Sequence, residues 1–138
     1  MDNRNIFLDT NIVVDIIDPA RIQHLQSLEL LKNLTLEDYN IYISEDMITT
    51  LYYISRDKKV VLEFLRGLVY VDWNVSMFGI DLLSKATNLS LKEDLDLEDL
   101  LQCLCAKENG CNILITNDKK FCNCGIEIMN CEEFLSGK

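Results

Sequence analysis

Three aspartates that are far apart in the sequence stand where their carboxylates could act together in one reaction. Asp9 follows the apolar residues 6–8, and Asp118 comes shortly after a second apolar run at 113–115. Asp99 lies near the start of a segment with helical spacing that leads into that second run. If both runs are parallel strands, their carboxyl ends meet at one edge of a sheet, where ligands usually bind. We therefore expect the three carboxylates to converge on one cleft.

A cluster of carboxylates favours a particular kind of metal ion. Like charges repel one another, so one of the acids would take up a proton unless a cation offset the charge. Mg²⁺ and Mn²⁺ prefer oxygen ligands, and such an ion can polarise a phosphoryl oxygen and lower the pKa of a bound water. An aspartate cluster without His or Cys beside it therefore favours Mg²⁺ or Mn²⁺ over zinc.

Each of these acids also has a purely structural interpretation. Asp9 could be the N-cap of a following helix, and Asp118 could cap a turn. Asp96 and Asp99 are three residues apart, as in a capping box, and an acid in the first turn interacts favourably with the helix dipole. The spacing by itself leaves both interpretations open.

The elements that would position these acids alternate along the chain. Runs rich in β-branched and aromatic residues predict strands at 5–8, 39–43, 68–71, 112–115 and 126–129. Apolar spacing predicts helices at 12–17, 21–33, 45–56, 57–67, 76–88, 97–109 and 132–135, with Ser44 as one N-cap and Gly67 as one C-cap. The pattern predicts one α/β domain over 1–138, a three-layer α/β/α sandwich around a mainly parallel sheet of about five strands.

The charge balance counts against recognition of nucleic acid by charge alone. The chain of 138 residues has 23 acidic and 13 basic residues, for a net charge of −10. A metal ion in an acidic cleft or a basic protein partner would account for the excess, and so would ordinary solubility. No apolar run approaches the roughly 20 residues that span a membrane, and no export segment is evident at the start, so we expect a cytoplasmic protein.

The six cysteines lie between positions 103 and 131. They include no C-x-x-C pair, and the single histidine, His24, is distant in the sequence. Structural zinc sites usually need two closely spaced pairs of ligands. We therefore expect partly buried reduced thiols here.

Taken in order, these segments resemble the PIN-domain family, in particular the VapC-like ribonuclease toxins of bacterial toxin–antitoxin pairs. The matching segments are IFLDTNI (6–12), YIS (42–44) with LYYI (51–54), DLEDLLQ (96–102), AKENG (106–110), LITND (114–118), GI (125–126) and EFL (133–135). The likeness thus extends over nearly the whole chain and keeps the family's order.

The resemblance implies a metal-dependent endoribonuclease, the toxin of a toxin–antitoxin pair, with a basic antitoxin as partner and a homodimer as the assembly. It implies that three carboxylates hold Mg²⁺ or Mn²⁺ and carry the catalysis, those of Asp9, Asp99 and Asp118. It also implies that Asp96 is an auxiliary acid and that Thr10, Asn11 and Thr116 orient ligands or waters.

One position departs from the family pattern. The family often has a glutamate about six residues after the serine that opens its second helix, and here Ser44 is followed at that distance by Thr50. The loss of a carboxylate would weaken metal binding, which leaves open a PIN-like domain that binds RNA or protein without cleavage. A phosphatase of the haloacid dehalogenase type is a further alternative, but it needs a second acid where this chain has Asn11.

Basic side chains that could contact RNA phosphates form two groups. The first lies on the predicted third and fourth helices, and the second follows Asp118; the residues we select are Arg56, Lys58, Lys59 and Lys119. The alternative is a solvated helix face.

Overall fold

The computed structural model describes residues 3–137, and its centre is a five-stranded parallel sheet with helices on both faces. The strands are β1 (Asn5–Leu8), β2 (Asn40–Ser44), β3 (Asn74–Ser76), β4 (Ile113–Ile115) and β5 (Glu127–Met129), in the order β3-β2-β1-β4-β5. All four strand pairings are parallel. The predicted α/β architecture is confirmed.

Eight α-helices connect and cover these strands in the described residues. They are α1 (Thr10–Ile17), α2 (His24–Leu36), α3 (Asp46–Ile54), α4 (Lys58–Phe64), α5 (Tyr70–Asp72), α6 (Gly79–Glu93), α7 (Leu97–Glu108) and α8 (Cys131–Ser136). A single π-helical turn, Leu65–Val69, joins α4 to α5. Within residues 3–137, no helix combines the length and the apolar character that a membrane span requires.

The central strand β1 determines where a cleft can form. Ile6, Phe7 and Leu8 are fully buried, as expected for a strand covered on both faces. β1 pairs with β2 on one side and with β4 on the other, and Leu8 is in register with Ile115. The chain leaves β1 towards β2 and returns much later as β4, so the strand order reverses at this point. Such a switch point opens a crevice at the carboxyl ends of the strands.

Helix α7 is buried on all sides. Its seven consecutive residues 100–106 are buried because the helix packs against α6 and against the sheet. Asp96 is its N-cap, with Oδ1 accepting a hydrogen bond of 2.9 Å from the backbone N–H of Asp99. A helix fixed this firmly holds the acids of its first turn in a defined place.

The second helix differs from the prediction at its start. Residues 21–23 form a turn, and Ile22 and Leu25, which are apolar positions of the predicted helix, are 98% and 79% exposed. The Arg21 guanidinium binds buried Asp15 at 2.8 Å, which fixes the turn and rotates the buried face of α2 to Ser27, Leu30 and Leu34. The apolar spacing from Ile22 onward was therefore misleading.

Two further boundaries were wrong. Ser44 does not cap a helix, because it is the last residue of β2 and pairs with Ser76 of β3. The predicted strand at 68–71 is helical, and Gly67 lies inside the π-helical turn instead of ending a helix. Leu65 and Val69, four residues apart, are both buried, so this segment packs through one helical face.

The cysteines also differ from the prediction, because two of the six are oxidised. Cys103 of α7 and Cys124, in the segment between β4 and β5, form a disulfide with a Cα–Cα distance of 6.0 Å. Cys105, Cys111 and Cys131 are buried free thiols, and Cys122 is a half-buried one. The bonded pair is 21 residues apart in sequence and meets only through the fold, so local spacing could not reveal it.

Candidate active site

Asp9 lies at the carboxyl end of β1 and is both the N-cap of α1 and a buried acid. Its backbone N–H continues the strand pairing to the Ile115 carbonyl at 3.0 Å. Its Oδ1 accepts from the Thr10 N–H at 2.8 Å, and its Oδ2 accepts from Asn11 Nδ2 at 2.9 Å and from Thr116 Oγ1 at 2.7 Å. Three donors thus fix this carboxylate, which is 7% exposed.

The same hydrogen-bond network joins β1 to the segment that carries Asp118. Thr116, which is buried, accepts at Oγ1 from the Asp118 N–H at 3.1 Å while donating to Asp9. Asn11 Oδ1 accepts from the Asn117 N–H at 3.4 Å. Asn11 and Thr116 therefore lie beside Asp9, where the sequence placed them. Asp118 is exposed, and its Oδ1 accepts from the Lys120 N–H at 2.9 Å.

Helix α7 brings its first-turn acids into the same electrostatic environment. The pKa of Asp99 is raised to about 6, first by burial and then by the nearby charges of Asp96, Asp9, Asp118 and Glu98, in that order. Burial also raises the pKa of Asp9, in opposition to its three hydrogen bonds, and the charge of Asp118 adds to the effect. The charges of Asp9 and Asp118 therefore reach Asp99, and the charge of Asp118 also reaches Asp9.

Two acids near this cleft were not selected from the sequence. Burial, followed by the charges of Asp9, Asp96 and Asp46, raises the pKa of Glu98. Asp46 belongs to the first turn of α3, just beyond the carboxyl end of β2, whereas Thr50 lies exposed one turn further along α3. The position of an acid immediately after a parallel strand was the available signal for Asp46.

The donor set fits a hard divalent cation better than a soft one. The acids supply oxygen ligands, which hard cations prefer. The raised pKa values of Asp9 and Asp99 mean that a nearby positive charge would stabilise their ionised carboxylates. Within residues 3–137, however, no three His, Cys, Asp or Glu side chains stand together at ligand spacing. Asp9 is fixed by its hydrogen bonds, so Asp99 and Asp118, which are more exposed, are the side chains that would have to turn towards an ion.

Two surface cavities adjoin Asp118, and both include Asn117 and Asp118 in their linings. One has a volume of about 360 Å³ and is lined by Lys119, by Phe121 and by residues of β5 and α8. The other has a volume of about 450 Å³ and is lined by Asn11, Arg21 and their neighbours. The two cavities adjoin at Asn117 and Asp118 and form a groove past Asp118. Lys119 and Phe121 line one end of it, and Arg21, which is paired with Asp15, lines the other.

Most of the basic residues selected from the sequence serve other purposes. Lys58 Nζ donates to the carbonyls of Tyr52, Tyr53 and Ser55 at 2.6, 3.2 and 2.9 Å, so it caps the end of α3. Arg56 pairs with Asp18 at 3.4 Å, at the opposite end of α1 from Asp9, and Lys59 lies 4.0 Å from Glu63. Lys119 alone of the four lines a cavity beside Asp118.

The chain matches known proteins over almost its full length. The family model for the PIN domain matches residues 6–126. A curated protein, Ribonuclease VapC1 of Aquifex aeolicus (strain VF5), is 36% identical over 138 residues, which cover 97% of this chain and 95% of that protein.

Solved structures share the fold at low sequence identity. FitAB bound to an IR36 DNA fragment superposes with a TM-score of 0.67 at 17% identity and covers 91% of this chain and 94% of that one. VapBC2 of Rickettsia felis, bound to a DNA fragment from its promoter, superposes with a TM-score of 0.65 at 21% identity. The match covers 91% of this chain and 98% of that one. Mycobacterium tuberculosis VapC20, a toxin that cleaves the Sarcin-Ricin loop, superposes with a TM-score of 0.64 at 14% identity. The match covers 79% of this chain and 86% of that one.

Proposed function

Because this chain belongs to the PIN-domain family, we propose that it is a Mg²⁺- or Mn²⁺-dependent endoribonuclease and the toxin of a toxin–antitoxin pair. The observation that carries the proposal is the buried Asp9 carboxylate, held by Thr116 and Asn11 and coupled in charge to Asp99 and Asp118. The full-length similarity to a named ribonuclease supports it.

In this proposal Asp9, Asp99 and Asp118 hold the ion, which when bound polarises a phosphoryl oxygen and lowers the pKa of a water. Thr10, Asn11 and Thr116 keep the Asp9 carboxylate in one orientation. In the ion-free protein the pKa of Asp99 is about 6, so its carboxylate is one that a bound cation would stabilise in the ionised form. Asp96 fixes the first turn of α7 from which Asp99 projects. Hydrolysis would leave a 5′-phosphate and a 3′-hydroxyl.

The groove past Asp118 is the proposed path of the RNA strand. Lys119 at one end can contact phosphates and Phe121 can stack on a base, whereas Arg21 at the other end is paired with Asp15. Arg56, Lys58 and Lys59 are engaged elsewhere, so we give them no part in RNA binding. A net charge of −10 makes these few cations important for retaining the substrate.

We also propose a basic antitoxin that covers the cleft and places an Arg or Lys among its carboxylates. FitAB and VapBC2, which share this fold, are structures of complexes bound to DNA. Because the acids repel one another, a cationic side chain of the partner would stabilise their ionised forms. A homodimer would cover part of the exposed apolar surface, and the cytoplasm is the expected location.

The direct test is cleavage of single-stranded RNA by the purified, partner-free protein in Mn²⁺, compared with Asp9→Asn. The matched control is Asp72→Asn, which removes the same charge from an exposed position at the end of α5. We expect cleavage by the wild type and by the control, with chelator abolishing both, and none by Asp9→Asn. Wild-type protein that binds Mn²⁺ and leaves RNA intact would refute the proposal.

A binding-only PIN-like domain is the second candidate function. The Thr50 departure and the absence of ligand spacing among the acids of residues 3–137 favour it. Expression of the wild type and of Asp9→Asn in parallel separates the two functions. An active toxin slows growth only as the wild type, whereas a binding-only domain gives the same growth in both cultures.

A further inference from the structure

We propose that the Cys103–Cys124 disulfide positions the acids of the cleft, so that thiol–disulfide exchange at this bond controls metal binding. The positioning follows from the location of the two cysteines, and the consequence for metal binding rests on the proposed function. The bond joins α7, which carries Asp99, to the segment 116–126, which carries Asp118.

On the helix side, the disulfide is attached next to a cleft acid. Cys103 lies four residues after Asp99, so the two side chains share one face of α7 about one turn apart. Cys103 is completely buried, in a helix whose residues 100–106 are all buried. The helix side of the bond is thus a fixed anchor.

On the other side, the disulfide holds a segment without regular structure. Residues 116–126 connect β4 to β5 and contain neither helix nor strand. Cys122 of this segment is close enough to α7 that, after burial, the charges of Asp99 and Asp96 raise the pKa of its thiol. The segment therefore runs along the acidic end of α7, and Asp118 is its third residue.

The remaining ties between this segment and α7 are weaker. Lys107 Nζ donates to the Cys124 carbonyl at 3.2 Å, at an exposed position. The bonds from the Lys120 N–H to Asp118 Oδ1 and from the Gly125 N–H to Asn123 Oδ1 are local and do not reach α7. Opening the disulfide removes the covalent tie between the two acid-bearing elements and leaves partial packing and one exposed hydrogen bond.

The exchange is ordinary dithiol chemistry. A thiolate of a dithiol reductant attacks Cys124 Sγ, the half-buried sulfur, the S–S bond breaks, and Cys103 leaves as a thiolate that takes up a proton. The second thiol of the reductant then displaces Cys124. Two electrons and two protons pass to the protein, and the reductant becomes a disulfide; a disulfide oxidant reverses the reaction.

The first measurement is the thiol count of the protein purified without reductant and unfolded, where four of six cysteines should react and dithiothreitol should raise the count to six. Reduction should lower the Tm by about 10 °C, since a loop of this length is released in the unfolded chain. Six reactive thiols in protein that was kept under air would overturn the proposal.

The decisive measurement is Mn²⁺ binding, followed by electron paramagnetic resonance well below the Tm, because it does not depend on RNA cleavage. If the freed segment keeps Asp118 in place about a tenth of the time, the apparent affinity falls about tenfold. We expect that loss in reduced wild type and in Cys103→Ser and Cys124→Ser, with recovery on reoxidation only in the wild type.

The matched control is Cys122→Ser, which changes a thiol of the same segment near the same acids but leaves the disulfide intact. It should bind Mn²⁺ like the wild type and still respond to dithiothreitol. A lower Tm with unchanged Mn²⁺ affinity in the reduced protein would show a merely structural disulfide and refute the positioning role. Failure of RNA cleavage alone would refute the proposed function and leave this result standing.

Discussion

Asp9 combines the two roles that its sequence context allowed. It caps α1 and, through the same carboxylate, accepts hydrogen bonds from Asn11 and from Thr116, the residue that follows β4. Asp96 likewise caps α7, and Asp118 caps a turn through Lys120. A carboxylate can therefore cap a helix and also lie in the cleft. This is because helices that follow parallel strands begin at the edge of the sheet where the acids lie.

At the residue scale, Asp9→Asn should reduce RNA cleavage at least about a hundredfold, because a charge that stabilises a bound cation is worth several kcal/mol. The fold should remain, since removing a buried charge compensates for a lost hydrogen bond. Circular dichroism and cleavage rates at saturating Mn²⁺ measure the two effects. A variant that retains wild-type cleavage would remove Asp9 from the site.

Asp99 should make the metal-free protein less stable at neutral pH. Its pKa is about 6 in the folded chain against 3.8 when unperturbed, so the folded state binds the proton more tightly. The stability linked to this group is present below about pH 4 and is lost as the pH rises to about 6.

Asp99→Asn removes this dependence. Its gain in unfolding free energy over the wild type should be greatest above pH 6 and should shrink as the pH falls towards 4, in denaturant titrations with chelator present. Asp72→Asn is the control for net charge. A gain that is independent of pH would contradict the assigned pKa.

At the scale of elements, the end of α3 is capped by Lys58, the first residue of α4, which the sequence analysis had selected for RNA binding. Lys58→Met should lower the unfolding free energy by about 1–2 kcal/mol, because three carbonyls at the end of α3 lose a charged donor. Lys59→Met is the matched control, with one exposed pair at 4.0 Å and an expected loss below about 0.5 kcal/mol. Equal losses in the two variants would argue against the capping role.

Gly67 offers a second test at this scale. It is exposed within the π-helical turn, and an added Cβ would meet nothing within 4 Å. Gly67→Ala should therefore stabilise the protein by about 0.5–1 kcal/mol by restricting the unfolded chain. Urea unfolding measures the change, and a destabilised variant would show that this turn needs the freedom of glycine.

The elements around the site were predictable from sequence, whereas those remote from it were less so. β1, β4 and α7 have continuous apolar patterns and clear caps, and they were placed within a residue or so. The apolar stretch at 68–71 has strand-like composition, but helical packing through Leu65 and Val69 prevails there. The disulfide and the Asp15–Arg21 pair depend on tertiary proximity, which local spacing does not contain.

At the scale of the whole molecule, a net charge of −10 opposes the approach of RNA. Raising NaCl from about 10 to about 100 mM shortens the Debye length to about 10 Å, so cleavage by the partner-free protein at fixed Mn²⁺ should become faster. A basic nuclease behaves in the opposite way because salt weakens its phosphate contacts. Cleavage that slows steadily over this range would show that local cations such as Lys119 dominate binding.

The pairing of β1 with β4 also has a consequence for biosynthesis. Asp9 and Thr116, which share a hydrogen bond, are 107 residues apart, and β4 must insert beside the first strand to bring them together. Contacts of such long range form late in folding, and a ribosome delivers the C-terminal part of the chain last. The nascent polypeptide thus carries no assembled cleft during most of its translation, and a product terminated before β4 lacks Thr116 and the hydrogen bond that it donates to Asp9.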